Sequence, residues 1–150
     1  MLDLKNVIIK EKKVDTVLTK SNLPIAGYSI NTYVGCPFAC KYCYATFMKR
    51  FTGHKEDWGT FLDVKIWDKI KNPKKYKGQT MIVGSVTDGY NYFEAKYKRT
   101  RAFLEEMQGS EINLIITTKS NLVTRDIELI KTYPKPLVAL SYAVAAINNF

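Results

Sequence analysis

The chain has 150 residues, of which 46% are hydrophobic, and this length and composition suit one folded domain with an ordinary core. Its 23 Lys and Arg residues outnumber its 14 Asp and Glu residues, and the formal net charge of +9 favours polyanionic partners such as nucleic acid. No apolar run is long enough to cross a bilayer and no signal-peptide pattern opens the chain, so the sequence predicts a cytoplasmic protein that makes no membrane contact.

The first third of the chain is predicted to contain an extended segment, a strand and a short helix. Residues 1–27 are interpreted as an extended lead-in segment, and residues 28–150 as the main domain. At the start of that domain, residues 28–34 are rich in β-branched and aromatic side chains, which predicts a strand that Gly35 ends. A short helix is predicted to follow over Tyr44–Phe51.

The next stretch, residues 52–80, has a less regular pattern. Val64, Trp67 and Ile70 recur at the spacing of one helix face, which predicts a helix. Pro73 would end that helix, and a solvated lysine-rich loop would follow it.

The second half of the chain alternates apolar strands with amphipathic helices. Asn91, with Glu94 three residues later, predicts the start of one helix, and Gly109 predicts its end. Strands that are apolar along their whole length are typical of a parallel sheet covered by helices, so the predicted fold class is α/β. The strands are predicted at residues 81–86, 112–117 and 137–144, with helices at about 91–107 and 122–131 between them.

All three cysteines of the chain, Cys36, Cys40 and Cys43, lie in one loop. An odd number of closely spaced cysteines is a poor basis for a disulfide framework and indicates metal binding in a reducing compartment. Four-iron clusters are ordinarily held by four thiolates, so three thiolates would leave one iron open to another ligand. The sequence therefore predicts a [4Fe-4S] cluster with an open coordination position.

A zinc site is the alternative for this loop. It would be of the Cys3His type, with His54, the one histidine of the chain, as the fourth ligand. Structural zinc sites usually have ligands in paired doublets, and the sequence has none, which favours the iron–sulfur cluster.

Residues 30–45, with their C-x3-C-x2-C spacing, resemble the cluster motif of the radical S-adenosylmethionine (SAM) superfamily. The wider context is similar to the branch related to spore photoproduct lyase, a DNA-repair enzyme. Further matches are residues 85–88 at a predicted strand end, residues 117–120 at the next strand end, and Ser141 in the last strand, with Glu94 and residues 97–101 between them. The resemblance covers most of residues 15–145.

The resemblance implies that the open iron binds SAM and that the reduced cluster cleaves SAM to a 5′-deoxyadenosyl radical, with flavodoxin or ferredoxin as the reductant. It implies that Thr87 contacts the methionine amino group and that Lys119 pairs with the methionine carboxylate. Asp88, beside Thr87, joins the cofactor-binding set. Ser141 matches a polar residue near the ribose, Tyr42 a residue that faces the adenine, and Tyr44 a catalytic tyrosine near the radical.

Each of these positions also has a simpler interpretation. Thr87 and Asp88 precede Gly89 and fit an ordinary turn. Lys119 fits a solvated loop, and tyrosines in an aromatic-rich chain usually pack. The order of the residues behind the cysteine loop, and their places at strand ends, favour the binding interpretation for Thr87, Lys119 and Ser141.

The sequence departs from the lyase at Ser85. The matching position of spore photoproduct lyase is a cysteine that returns a hydrogen atom to the repaired base, and a serine O–H bond is too strong for that role. The chain has no fourth cysteine to replace it. This argues against the lyase reaction itself and leaves the substrate and the hydrogen donor open.

The resemblance also implies a partial (β/α) barrel of the radical SAM type, because the chain supplies about four of the six strands usual in that fold. The predicted last strand, residues 137–144, would then form an exposed sheet edge. We expect a truncated product that self-associates through this strand or needs a partner chain.

Two other functions compete with the radical SAM enzyme. One is a non-catalytic iron–sulfur or zinc-binding module that holds nucleic acid on its basic surface, and the other is an inactive fragment. The positive charge favours nucleic acid as the partner of the enzyme or of the module, although a lysine-rich proteome would give the same charge.

Overall fold

The computed structural model describes residues 4–39 and 44–140, with the side chains of Leu4 and Tyr44 left out of the description. The fold is mixed α/β with parallel strands, as predicted. The strands are β1 (Ile8–Val14), β2 (Leu18–Lys20), β3 (Tyr28–Ile30), β4 (Tyr33–Val34), β5 (Phe61–Trp67), β6 (Thr80–Val83), β7 (Asn113–Thr118) and β8 (Leu137–Leu140). The α-helices are α1 (Glu94–Tyr97), α2 (Arg99–Glu106) and α3 (Ile127–Ile130), and 3-10 helices form at Leu4–Asn6, Tyr44–Phe51, Pro73–Tyr76 and Asn121–Asp126.

The larger sheet has the strand order β2-β3-β6-β7-β8. In this sheet β3, β6, β7 and β8 run parallel to one another, and β2 is antiparallel to β3. One face packs on α2: Met81 of β6 and Leu114 of β7 lie in one buried cluster with Phe103, Leu104 and Met107. Because side chains alternate across a strand, Ile82 points to the opposite face of this sheet.

The smaller sheet has the order β1-β5-β4, with β1 parallel and β4 antiparallel to β5. The helix predicted from Val64, Trp67 and Ile70 is wrong, since the first two residues lie in β5. Residues three apart on a strand point to opposite faces. Val64 packs in a small cluster with Leu62, whereas Trp67 joins the main core, so a strand buried on both faces imitates a helical spacing.

Several predicted boundaries are corrected by turn geometry. The helix predicted over 91–107 is interrupted at Lys98, whose φ of 50° separates α1 from α2. The helix predicted over 122–131 begins as the 3-10 helix Asn121–Asp126. The strand predicted over 28–34 is two short strands in different sheets, and the strand of 81–86 ends at Val83. Of the last predicted strand, residues 141–144 lie outside the described residues.

Among the residues that the structure describes, no helix has the length and apolar character that a membrane span requires.

Candidate functional site

A cavity of about 400 Å³ opens where β6 and β7 end. Its wall includes Cys36 from the cysteine loop, Thr87 and Asp88 from the segment after β6, and Lys119 directly after β7. Ile82 also lines it, which places the cavity on the sheet face away from α2. Residues far apart in the sequence, which the motif pattern predicts to act together, are thus brought to one cavity.

Two glycines hold the cysteine loop against the start of β5. Gly35 has φ 95°, and a Cβ there would lie 2.6 Å from the carbonyl oxygen of Phe61. A Cβ on Gly59 would lie 2.5 Å from the Cβ of Ala39. Within the loop, the Ala39 N–H donates to the Cys36 carbonyl at 3.1 Å. These close approaches leave no room for a side chain at Gly35 or Gly59.

The structure describes some of the residues that are predicted to bind the metal or the adenosine part of SAM. Cys36 is buried and lines the cavity. Cys40, Tyr42, Cys43 and Ser141 lie outside the described residues. Tyr44 begins the 3-10 helix that follows the loop, with only its backbone described.

The Thr87 hydroxyl joins the cysteine loop to the end of β6. It is buried and donates its proton to the carbonyl oxygen of Gly35. Since the proton is committed to that bond, the hydroxyl oxygen is left with its acceptor capacity. Thr87 is therefore suited to accept a hydrogen bond from a cationic donor such as an ammonium group.

Asp88 clamps the ends of β6 and β7 together. Its Oδ1 accepts from the Thr118 hydroxyl at 2.6 Å and from the Tyr90 N–H at 2.9 Å, and its Oδ2 accepts from the Lys119 N–H at 2.8 Å. Burial raises the pKa of Asp88, while these hydrogen bonds and the Lys119 charge oppose the rise. Both carboxylate oxygens are engaged within the protein, so Asp88 fixes the backbone that carries Lys119.

Asn31 was not predicted as a site residue, although it lies in the motif segment. Its Nδ2 donates to the Ser85 hydroxyl at 3.1 Å, and its Oδ1 accepts from the Val86 N–H at 3.1 Å. It therefore fixes two residues of the cavity wall from the turn between β3 and β4. Its place beside the motif cysteines is the only signal that the sequence offers for this role.

A buried charge network supports the cavity from the side of the helices. Glu94 has no exposed surface and accepts from the Tyr33 hydroxyl, the Thr100 N–H at 2.9 Å and Arg125 Nη2 at 2.6 Å. Asp126 accepts from Arg125 and Arg101, and from the Tyr90 hydroxyl at 3.0 Å. The Tyr90 N–H donates to Asp88, so Tyr90 connects the network to the cavity wall.

The pKa values of this network follow from burial and pairing. Burial and the charge of Glu94 raise the pKa of Tyr33 well above its ordinary value. Burial also acts to raise the pKa of Asp126, but hydrogen bonds from Arg125, Arg101 and Tyr90 together hold it below the ordinary value. The lowered pKa of Asp126 favours its ionised form, which faces the guanidinium groups of Arg125 and Arg101.

His54, the alternative zinc ligand, lies between two carboxylates. Its Nδ1 is 3.1 Å from Glu56 and its Nε2 is 2.9 Å from Asp63. Its ring stacks on Phe61 with 3.9 Å between centroids. Both ring nitrogens are engaged by acidic side chains, so one of these side chains would have to be displaced before His54 could bind zinc.

The chain is similar to proteins whose functions are not described. It is 40% identical over 144 residues to an uncharacterized protein of Methanocaldococcus jannaschii, a match that covers 95% of this chain and 51% of the relative. An uncharacterized protein of Acidianus two-tailed virus is 32% identical over 134 residues, with 82% and 44% covered. One of Mycobacterium tuberculosis is 29% identical over 130 residues, with 78% and 37% covered.

The chain thus spans about half, or less, of the length of these relatives. No protein-family model and no solved structure matches it.

Proposed function

We propose that this chain carries the cluster-binding part of a radical SAM protein of the branch related to spore photoproduct lyase, built as a partial (β/α) barrel. One observation supports this most: Cys36, Thr87 and Lys119 line a single cavity. The cavity lies at the C-terminal ends of parallel strands, where the active sites of (β/α) barrels lie. Its position on the sheet face away from α2 also agrees with a barrel interior.

The proposed metal ligands are Cys36, Cys40 and Cys43. The described part of this set fits a cluster, because Cys36 is buried beside a cavity and its loop is held by close backbone contacts at Gly35 and Gly59. When bound and reduced, a [4Fe-4S] cluster with one open iron supplies the electron that cleaves the sulfonium of SAM.

The chain's own residues would bind and orient SAM. Thr87 offers its hydroxyl oxygen to the methionine ammonium group. Lys119 offers its side-chain ammonium to the methionine carboxylate, and Asp88 holds the Lys119 backbone in place. Tyr42 and Ser141 are proposed to contact the adenine and ribose, and Tyr44 to lie near the reacting centre.

The proposed substrate is a nucleic acid or another macromolecule, supported by the net charge of +9. A flavodoxin or ferredoxin would deliver the electron. Ser85 lines the cavity, but its O–H bond is too strong to serve as a hydrogen-atom donor. The hydrogen atom would come from another donor or from 5′-deoxyadenosine.

A non-catalytic iron–sulfur or zinc-binding module is the second candidate, favoured by the same positive charge. The carboxylate contacts of His54 weigh against its zinc form.

Anaerobic reconstitution with iron and sulfide, followed by a SAM cleavage assay, tests these proposals together. We expect a brown protein with equal amounts of iron and sulfide that releases 5′-deoxyadenosine after reduction. Replacement of any one of Cys36, Cys40 and Cys43 by alanine should abolish both properties. A cluster without 5′-deoxyadenosine would favour the non-catalytic module, and bound zinc without iron would favour a zinc site.

A further inference from the structure

One buried donor, in the indole of Trp58, has no acceptor in the described part of the chain. The indole Nε1 of Trp58 is inaccessible to solvent and makes no hydrogen bond among the residues that the structure describes. Buried N–H groups nearly always have a partner, so an orphaned one requires an explanation. The other two orphaned atoms, in Arg99 and Ser110, lie at the start of α2 and in the turn after it.

Two neighbours of Trp58, Gly59 in the chain and Phe61 in space, lie against the cysteine loop. The next residue, Gly59, approaches so closely that a Cβ there would lie 2.5 Å from Ala39 Cβ and 3.7 Å from the Cys36 carbonyl oxygen. The Trp58 ring packs edge-on against Phe61, with 5.7 Å between centroids. The Phe61 ring in turn lies against Gly35, where a Cβ would be 3.1 Å from a ring carbon.

We propose that Trp58 is a positioning residue for the iron–sulfur cluster, and that its indole N–H donates to a cluster sulfide or to a cysteine thiolate. This inference rests on the proposed function, because the acceptor is the cluster assigned to the loop. Sulfur becomes a better acceptor when the cluster gains an electron, so an N–H donor stabilises the reduced state and raises the reduction potential. Trp58 thereby makes it easier for the reductant to reduce the cluster.

The experiment compares two tryptophan variants of the reconstituted chain. W58F keeps an aromatic ring and removes the N–H. W67F is the matched control, because it removes an indole N–H that donates to Glu106 at 2.7 Å, and Trp67 packs in the main core. Iron and sulfide content is measured first, and the reduction potential is then measured by a redox titration followed by electron paramagnetic resonance.

We expect W58F to lower the ratio of reduced to oxidised cluster at a fixed potential by about two- to tenfold, the range that one hydrogen bond gives. A tenfold change corresponds to about 59 mV for a one-electron couple. W67F should match the wild type. An unchanged potential in W58F, or an equal shift in both variants, would overturn the inference while leaving the proposed cluster intact.

If W58F fails to assemble a cluster, a second measurement tests whether the Trp58 indole lies beside the cluster. The chain has two tryptophans, so W67F labelled with 15N in its indole leaves Trp58 as the only labelled ring. Pulsed electron paramagnetic resonance of the reduced cluster should then show a 15N coupling, and its absence would overturn the inference. A wild-type chain that binds no iron would overturn the proposed function, and the role of Trp58 with it.

Discussion

At Gly35 the backbone conformation and the local packing both require the absence of a side chain. Its φ of 95° is strained for other residues, and the space for a Cβ is taken by the Phe61 carbonyl oxygen. Gly53 also has a positive φ, of 75°, but nothing lies within 4 Å of the position of its Cβ. The two positions therefore separate the cost of strain from the cost of overlap.

We predict that Gly35→Ala destabilises the fold more than Gly53→Ala does. Strain alone should lower the free energy of unfolding by about 1–2 kcal/mol in each variant. Overlap with Phe61 should add about 1–3 kcal/mol in Gly35→Ala. Urea unfolding of the two variants measures the difference, and equal losses would show that the backbone at Phe61 moves aside freely.

Lys119 is the second residue whose role can be isolated. We predict that Lys119→Ala weakens SAM binding by about 10- to 100-fold, because it removes a charge-assisted bond to the carboxylate. The cluster content should not change. Lys131→Ala is the control, since Lys131 pairs with the exposed Glu128 and does not line the cavity.

Equilibrium dialysis of the reconstituted variants against SAM gives the comparison. Equal affinities in Lys119→Ala and Lys131→Ala would remove Lys119 from the proposed site.

Among the elements, the short helices depend on the buried charge network for their positions. Glu94 opens α1, Arg101 lies in α2, and Arg125 and Asp126 end a 3-10 helix that leads into α3. Helices of four residues are too short to be stable alone. The ionic contacts thus hold these turns where hydrophobic packing of so few residues would not.

We predict that Glu94→Gln lowers the free energy of unfolding by about 3 kcal/mol, because it leaves Arg125 facing an amide in place of a carboxylate. Glu128→Gln is the matched change at an exposed pair, with Lys131 at 3.2 Å, and should cost less than about 0.5 kcal/mol. Chemical unfolding of both variants tests the contrast. Similar small losses would mean that Asp126 alone satisfies Arg125.

The sequence predicts elements best where pattern and burial agree. It predicts β6 and β7, with Thr87 and Lys119 after their ends, because apolar strands followed by polar residues mark a sheet edge. It fails at β5, where burial on both faces hides the period of two. The role of Asn31 and the proposed role of Trp58 escape prediction, because each depends on parts of the chain that are distant in sequence, as Asn31 does on Ser85.

At the scale of the whole molecule, β8 leaves one edge of the larger sheet open within the described residues. It pairs with β7 on one side, and Leu137 and Leu140 are 57% and 48% exposed. Exposed apolar edge strands favour association with other chains. The relatives, which are about twice as long or more, have additional chain that this sequence does not contain.

We predict that the chain self-associates through β8 and that Leu137→Lys with Leu140→Lys shifts it towards the monomer. Ile8→Lys is the control, because Ile8 is 42% exposed on β1 of the other sheet. Light scattering over a range of concentrations measures the masses. A wild-type chain that stays monomeric, or a control that dissociates equally, would contradict the assignment of this edge.

The hydrogen bond from Thr87 to Gly35 crosses from one sheet to the other. Gly35 directly follows β4 of the smaller sheet, and Thr87 follows β6 of the larger one. A ligand held between Cys36 and Lys119 would span the same seam and act as a cross-link between the two sheets. Local opening of either sheet would then require release of the ligand. The amide protons of both sheets would therefore exchange with solvent as one cooperative unit.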